Sequence, residues 1–98
     1  MDEVRGQARR LLRRAGVWLN TPGVEVVERL AKHGDHTIYR YTTWIIQVRI
    51  DAVVSCGHAG CELLGASIRE PTGRARVWQP GLGWSDGNPG RILEGVMA

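Results

Sequence analysis

Phenylalanine is missing altogether, and of the thirteen basic residues only Lys32 is a lysine. The whole aromatic inventory is therefore four Trp (Trp18, Trp44, Trp78, Trp84) and two Tyr (Tyr39, Tyr41). Arg in place of Lys, beside abundant Gly, Ala and Val, reads as the codon bias of a high-GC genome, which tempers any argument from Arg enrichment. No stretch approaches the ~18 apolar residues of a membrane span, and the charged start is followed by no apolar run of about 7 to 15 residues. A cytoplasmic protein with no signal peptide and no membrane partner is expected. Its only two cysteines, Cys56 and Cys61, are expected to be reduced there. No stretch carries a specific catalytic or cofactor motif.

What is present fits a single small domain, 1–98, with 23% charged and 43% apolar residues. The net charge of +3 and a pI near 9.4 favour an anionic partner mildly.

Taken in order, the spacing of Val4, Ala8, Leu11, Leu12 and Ala15 predicts a helix over about 2–15, stopped by Gly16. Asp2 and Glu3 at its start and Arg9, Arg10, Arg13 and Arg14 near its end complement the helix dipole. Thr21 and Pro22 then resemble an N-cap and first helical position. With Val24, Val27, Leu30 and Ala31 on one side and Gly34 as the stop, they predict a second helix over about 22–32. Gly23 and three Val weaken it.

Beyond Gly34 the chain reads as extended. From Trp44 to Val54, residues Trp44, Ile46, Val48, Ile50, Ala52 and Val54 alternate with Gln47, Arg49 and Asp51, the pattern of a half-buried strand. Tyr39 and Tyr41 are out of phase with that row. The slip is expected from a bulge in one long strand, about 37–55; a hairpin turn at Thr42-Thr43 is the alternative, without the Gly, Asn or Pro such turns want. The following hairpin has two candidate registers. Cys56 opposite Cys61 would set Ile50 against Ser67. A three-residue loop, His58-Ala59-Gly60, would set Ile50 against Ile68, Ala52 against Ala66 and Val54 against Leu64. Apolar matching favours the latter, with Gly60 in the left-handed position, Cys56 inward and Cys61 outward. A strand over about 62–69, a turn at Glu70-Pro71-Thr72-Gly73, a strand over about 74–79 and a Gly/Pro-rich loop over 80–90 follow. Arg91 to Ala98 closes the chain as a short helix or strand. The expected fold is α+β: two N-terminal helices packed on an antiparallel meander of three or four strands.

Three groups of residues invite a functional reading. Cys56, His58 and Cys61 are three soft ligands within six residues, a weak candidate for Zn²⁺ that would need His33 or His36 as a fourth. A buried Cys and an exposed loop Cys explain the same residues without metal, cofactor or thiol chemistry, and a disulfide or redox pair is the remaining reading. Arg5, Arg9 and Arg13 form one row of the first helix, with Arg10 and Arg14 beside it, either a solvated face or a grip for phosphates or an acidic protein. Trp84, on the Gly-rich loop, either folds back to cap the core or anchors a partner.

These observations rank a non-enzymatic protein–protein interaction domain first, docking on a larger assembly through Trp84, Arg5, Arg9, Arg13 and Arg49, in the manner of a phage or mobile-element accessory protein or inhibitor. A DNA- or RNA-binding protein is the alternative, using Arg9, Arg10, Arg13, Arg14 and Arg40 on phosphates and Tyr39 or Tyr41 on bases. The zinc or thiol reading comes third. Oligomeric state is open.

Overall fold

A computed structural model describes residues 2–19 and 23–87. One helix, α1 (Asp2–Arg14), precedes six strands: β1 (Glu25–His33), β2 (His36–Ile45), β3 (Val48–Gly57), β4 (Gly60–Arg69), β5 (Ala75–Gln79) and β6 (Gly83–Asp86). The strands form one antiparallel sheet in the order β1-β2-β3-β4-β5-β6. The class is α+β, but with one helix instead of two and six strands in place of three or four.

Helix α1 ends as its sequence suggests. Gly16 adopts φ +96°, its N–H donates to Arg13 O at 2.9 Å and the Val17 N–H donates to Leu12 O at 2.8 Å. That pair of bonds is a Schellman cap, available because glycine carries no Cβ penalty in the left-handed region. Ala8 and Leu12 on the inner side of the helix are fully buried, in one cluster with Val17, Tyr41, Ile50, Ala52, Val54, Leu63 and Ala66. The helix therefore covers one face of the sheet, the face carrying the even-numbered row of β3. On the opposite, outer face a smaller cluster joins Ile38, Val53 and Val77, with Leu30 and Leu64 packed against it.

The expected helix over 22–32 is instead strand β1, paired with β2 from Glu25↔Thr43 to His33↔His36. Val24, Val27, Leu30 and Ala31 fit a helical stripe. Three β-branched residues, however, lose χ1 freedom in a helix and pack well in a sheet, and an available edge beside β2 decided the outcome. Gly34, expected to stop that helix, takes φ +62° in the tight turn from β1 to β2. The proposed cap at Thr21 and Pro22 lies outside the described residues.

The single strand over 37–55 is two strands. β2 runs unbroken through Thr42 and Thr43, so neither the bulge nor the turn expected there exists. The chain reverses four residues later, at Ile46-Gln47, between the paired Ile45 and Val48. Ile46 is the only described non-glycine residue with positive φ, at 58°. A positive φ at the first turn residue alone is the pattern of a type II′ turn, which glycine normally occupies. This reversal puts Trp44 opposite Arg49, on the outer face, and breaks it away from the inward row of Val48, Ile50, Ala52 and Val54.

Both candidate registers of the β3–β4 hairpin are present, one at each end. Ile50 pairs with Ile68 and Ala52 with Ala66, whereas Val54 pairs with Leu63 and Cys56 with Cys61, and the shift falls between Val53 and Val54. The bulge leaves Leu64 as the extra residue, turned to the outer cluster. Gly60 has φ +116° at the turn. Cys61 thus shares the inner face with Cys56 and does not point outward.

In the β4–β5 turn Gly73, at φ +91°, donates to Glu70 O at 3.0 Å. The stretch expected as an unstructured loop over 80–90 contains β6, whose Trp84 pairs with Trp78. The closing segment Arg91 to Ala98 lies outside the described residues.

Candidate functional site

The two faces of the sheet carry different polar chemistry. Under the helix, Glu25 of β1 accepts from Arg9 Nε at 2.6 Å and Nη2 at 2.5 Å, and from the Tyr41 hydroxyl. A planar guanidinium matches a carboxylate with two parallel bonds, which fixes the helix on the β1 edge. Chiefly through the Arg9 bond, the Glu25 carboxyl is held below its ordinary value, and Arg9 is raised in turn. Burial, and then the bond to Glu25, pushes the Tyr41 phenol up to about 12. Thr43, also fully buried, donates to Val24 O at 2.9 Å.

This arrangement reassigns several residues of the helix row. Arg9 is committed to Glu25, Arg5 Nη1 lies 3.4 Å from Asp2, and the Arg13 guanidinium lies 5.3 Å from the centre of the Trp18 ring. Arg10 and Arg14 are exposed. Tyr41 is buried, and Tyr39 packs against the same core. Tyr41 therefore offers no aromatic face to a base, whereas Tyr39 is half-buried. Trp84 is half-buried, and its indole N–H donates to Ala15 O at 2.7 Å while Arg76 sits 5.6 Å over its ring. Its position is that of a cap closing the sheet against the end of α1. Of the two readings of Trp84, this position matches the fold-back cap.

At Cys56 and Cys61 the two sulfurs are bonded to each other, with Cα atoms 4.1 Å apart. No thiolate is left for a metal, and among the described residues no group of three or more His, Cys, Asp or Glu converges on one point. The zinc reading of Cys56, His58 and Cys61, and the expectation of reduced thiols, give way to a disulfide.

The outer face is where unassigned side chains gather. Across β1, β2 and β3 lie Val26, Glu28, Arg40, Thr42, Trp44 and Arg49, lining a shallow depression. Arg40 pairs with Glu28, Arg49 Nε donates to Asp51 Oδ2 at 2.9 Å, and Thr42 donates to Asp51 Oδ1 at 2.5 Å. The Arg49 guanidinium also lies 5.9 Å from the centre of the Trp44 ring, a cation–π contact. Arg69 stands directly beside Arg49 on β4, outside the ion pairs seen among the described residues. Two of the lining residues are exposed large hydrophobics, Val26 at 45% and Trp44 at 37% of full exposure, and Val24 at 69% and Ile46 at 94% each stand two residues from one of them in the chain.

Of the expected site residues, Arg49 and Arg40 are brought together here, whereas Arg5, Arg9, Arg13, Tyr39, Tyr41 and Trp84 are not. Trp44, Val24, Val26 and Ile46 escaped the sequence reading as site residues. The signal that would have found them is the unpunctuated W-I-I-Q-V segment, in which a turn, if admitted, turns Trp44 outward. No helix among the described residues is long and apolar enough to cross a membrane. The chain matches no protein-family model, no curated protein and no solved structure.

Proposed function

We propose that the chain is a protein-docking module whose contact surface is the β1–β2–β3 corner of the outer face. The observation that carries this reading is the grouping of Val24, Val26, Trp44 and Ile46 on neighbouring strand ends, with Ile46 almost wholly exposed. Exposed apolar residues scattered singly need no explanation, whereas a contiguous group rimmed by polar side chains is the usual mark of an interaction surface. Trp44 supplies the large rigid anchor that dominates binding energy, and Arg49 holds its ring in place. The rim arginines, Arg40 and Arg49, are already matched to Glu28 and Asp51, so the surface suits a partner of mixed charge better than a polyanion.

A photo-reactive residue at position 46, compared with one at Arg10 on α1, tests the proposal in extract from the native source. The expected result is one discrete protein adduct at 46, competed by unlabelled chain. Trp44→Ala should weaken that competition by about thirtyfold, a loss of about 2 kcal/mol typical of a central Trp, with the fold intact by circular dichroism. Equal labelling at both positions, or adducts to nucleic acid alone, would remove the reading.

A further inference from the structure

We infer that Cys56–Cys61 is a reversible thiol–disulfide exchange site for a small thiol of the glutathione class. The bond joins directly opposed residues one pair from the end of the β3–β4 hairpin. Nine cross-strand pairs hold that hairpin already, and the cysteines are only five residues apart in sequence. A cross-link over so short a loop removes little freedom from the unfolded chain. The ladder, and not the sulfur bridge, keeps the strands together, so the bond can open without the fold opening.

It is also within reach. The bond lines a depression of about 220 Å³ between the first turns of α1 and the hairpin, with Glu3, Val4, Gln7 and Tyr39 as its other walls and Gly57 and Gly60 at its floor. Gly57 and Gly60 adjoin the two cysteines in this depression, and Cys56 and Cys61 are both only partly buried. Cys56 packs against the main core cluster, whereas Cys61 lies outside that packing. Attack is therefore directed at the Cys61 sulfur, since exchange rates depend on which sulfur is accessible.

The chemistry balances with two thiols. The thiolate of the first attacks Cys61 Sγ, the Cys56–Cys61 bond breaks, and the electron pair leaves on Cys56 Sγ, which takes a proton from water. A second thiolate attacks the outer sulfur of the mixed disulfide and releases Cys61 as a thiolate, which is protonated in turn. The protein disulfide has gained two electrons and two protons, and the two small thiols have become one disulfide.

The test is equilibration of the full chain in glutathione buffers of graded ratio, followed by acid quench, alkylation and intact mass. The expected result is full interconversion of the bonded and doubly alkylated forms, with an unchanged far-ultraviolet circular dichroism spectrum. In the single variants, Cys61 left free by Cys56→Ser should form its mixed disulfide with oxidised glutathione about tenfold faster than Cys56 left free by Cys61→Ser, reflecting their different access. A bond that resists a large excess of reduced glutathione, or a chain that unfolds on reduction, would overturn the inference in favour of a structural staple. Two free thiols in every buffer would overturn it as well. Should Cys56 react as fast as Cys61, the assignment of the attacked sulfur fails.

Discussion

The covered and outer faces of the sheet spend similar residues in opposite ways. Beneath α1, charge is used to fasten: Arg9 and Tyr41 converge on one half-buried carboxylate, Glu25, and around them lie fully buried Leu12, Ala8 and Val54. On the outer face the ion pairs Arg40–Glu28 and Arg49–Asp51 lie flat on the strands, and the largest apolar side chain, Trp44, remains partly open. The first face is organised to hold the chain together, and the second is the one on which we propose a partner docks. The contrast predicts that substitutions on the covered face cost stability and those at the outer corner cost binding.

The largest effect is expected at Leu12. Removing its buried side chain leaves a cavity between helix and sheet, and Leu12→Ala should lower the unfolding free energy by about 3 kcal/mol in urea titration. Trp44→Ala, in contrast, should cost no more than about 1 kcal/mol. Equal losses would erase the distinction between the faces.

Next is Arg9→Ala, which strands the Glu25 carboxylate against Tyr41. Because the Arg9 side chain is 38% exposed, solvent screening limits the loss to about 1 to 2 kcal/mol. The same cluster sets two limbs of the pH profile. The Glu25 carboxyl is depressed in the folded state, so its contribution is present above its ordinary value near 4.5 and is lost as pH falls through the folded value. The Tyr41 phenol is raised to about 12, so its contribution is complete below about 10 and is lost as pH climbs from there toward 12. Glu25→Gln should flatten the acid limb and Tyr41→Phe the alkaline one, as read by melting temperature against pH. An acid limb unchanged in Glu25→Gln would place the titration elsewhere.

How much of this was legible in the sequence depended on whether local signals and pairing agreed. They agreed for α1, where the apolar spacing and Gly16 point to one cap, and for Ile50 and Ala52, whose apolar partners across β4 were identified by matching alone. They disagreed at Val24 to Ala31, whose apolar positions satisfy a helical and an extended period at once until a neighbouring strand decides. The Ile46-Gln47 turn has no turn residue at all, so the alternation of Trp44, Ile46 and Val48 runs through it unbroken and hides the reversal. With the reversal hidden, Trp44 was placed inward and the outer corner could not be assembled, although Arg40 and Arg49 were both singled out. The Gly-rich setting of Trp84 admitted a fold-back cap, but its partner Ala15 stands 69 residues away and has no local trace. Neither does the mid-hairpin bulge, which let two competing registers both be satisfied.

Ile46 then offers a way to sharpen the contrast, because there stability and docking should move in opposite directions. A β-branched residue in the left-handed region carries a steric cost of roughly 1 to 2 kcal/mol, and its side chain, 94% exposed, recovers almost nothing by burial. Asn tolerates that backbone conformation, so Ile46→Asn should raise stability by about 1 kcal/mol and at the same time weaken capture of the partner. A variant that is less stable, or one that binds as well as the parent chain, would mean that the turn residue serves the fold and not the surface.

The smallest effect belongs to Arg40, whose ion pair with Glu28 lies on the outer face with the Glu28 side chain half exposed. Exposed pairs contribute little once solvation and side-chain entropy are counted, so Arg40→Ala should change the unfolding free energy by no more than about 0.5 kcal/mol. If the outer face meets a partner of mixed charge, the same substitution should alter the salt dependence and rate of association more than the lifetime of the complex. Stopped-flow association at two ionic strengths would measure it. A change confined to the dissociation rate would place Arg40 in the buried centre of the interface and move the docking surface from the Ile46 corner toward the middle of the sheet.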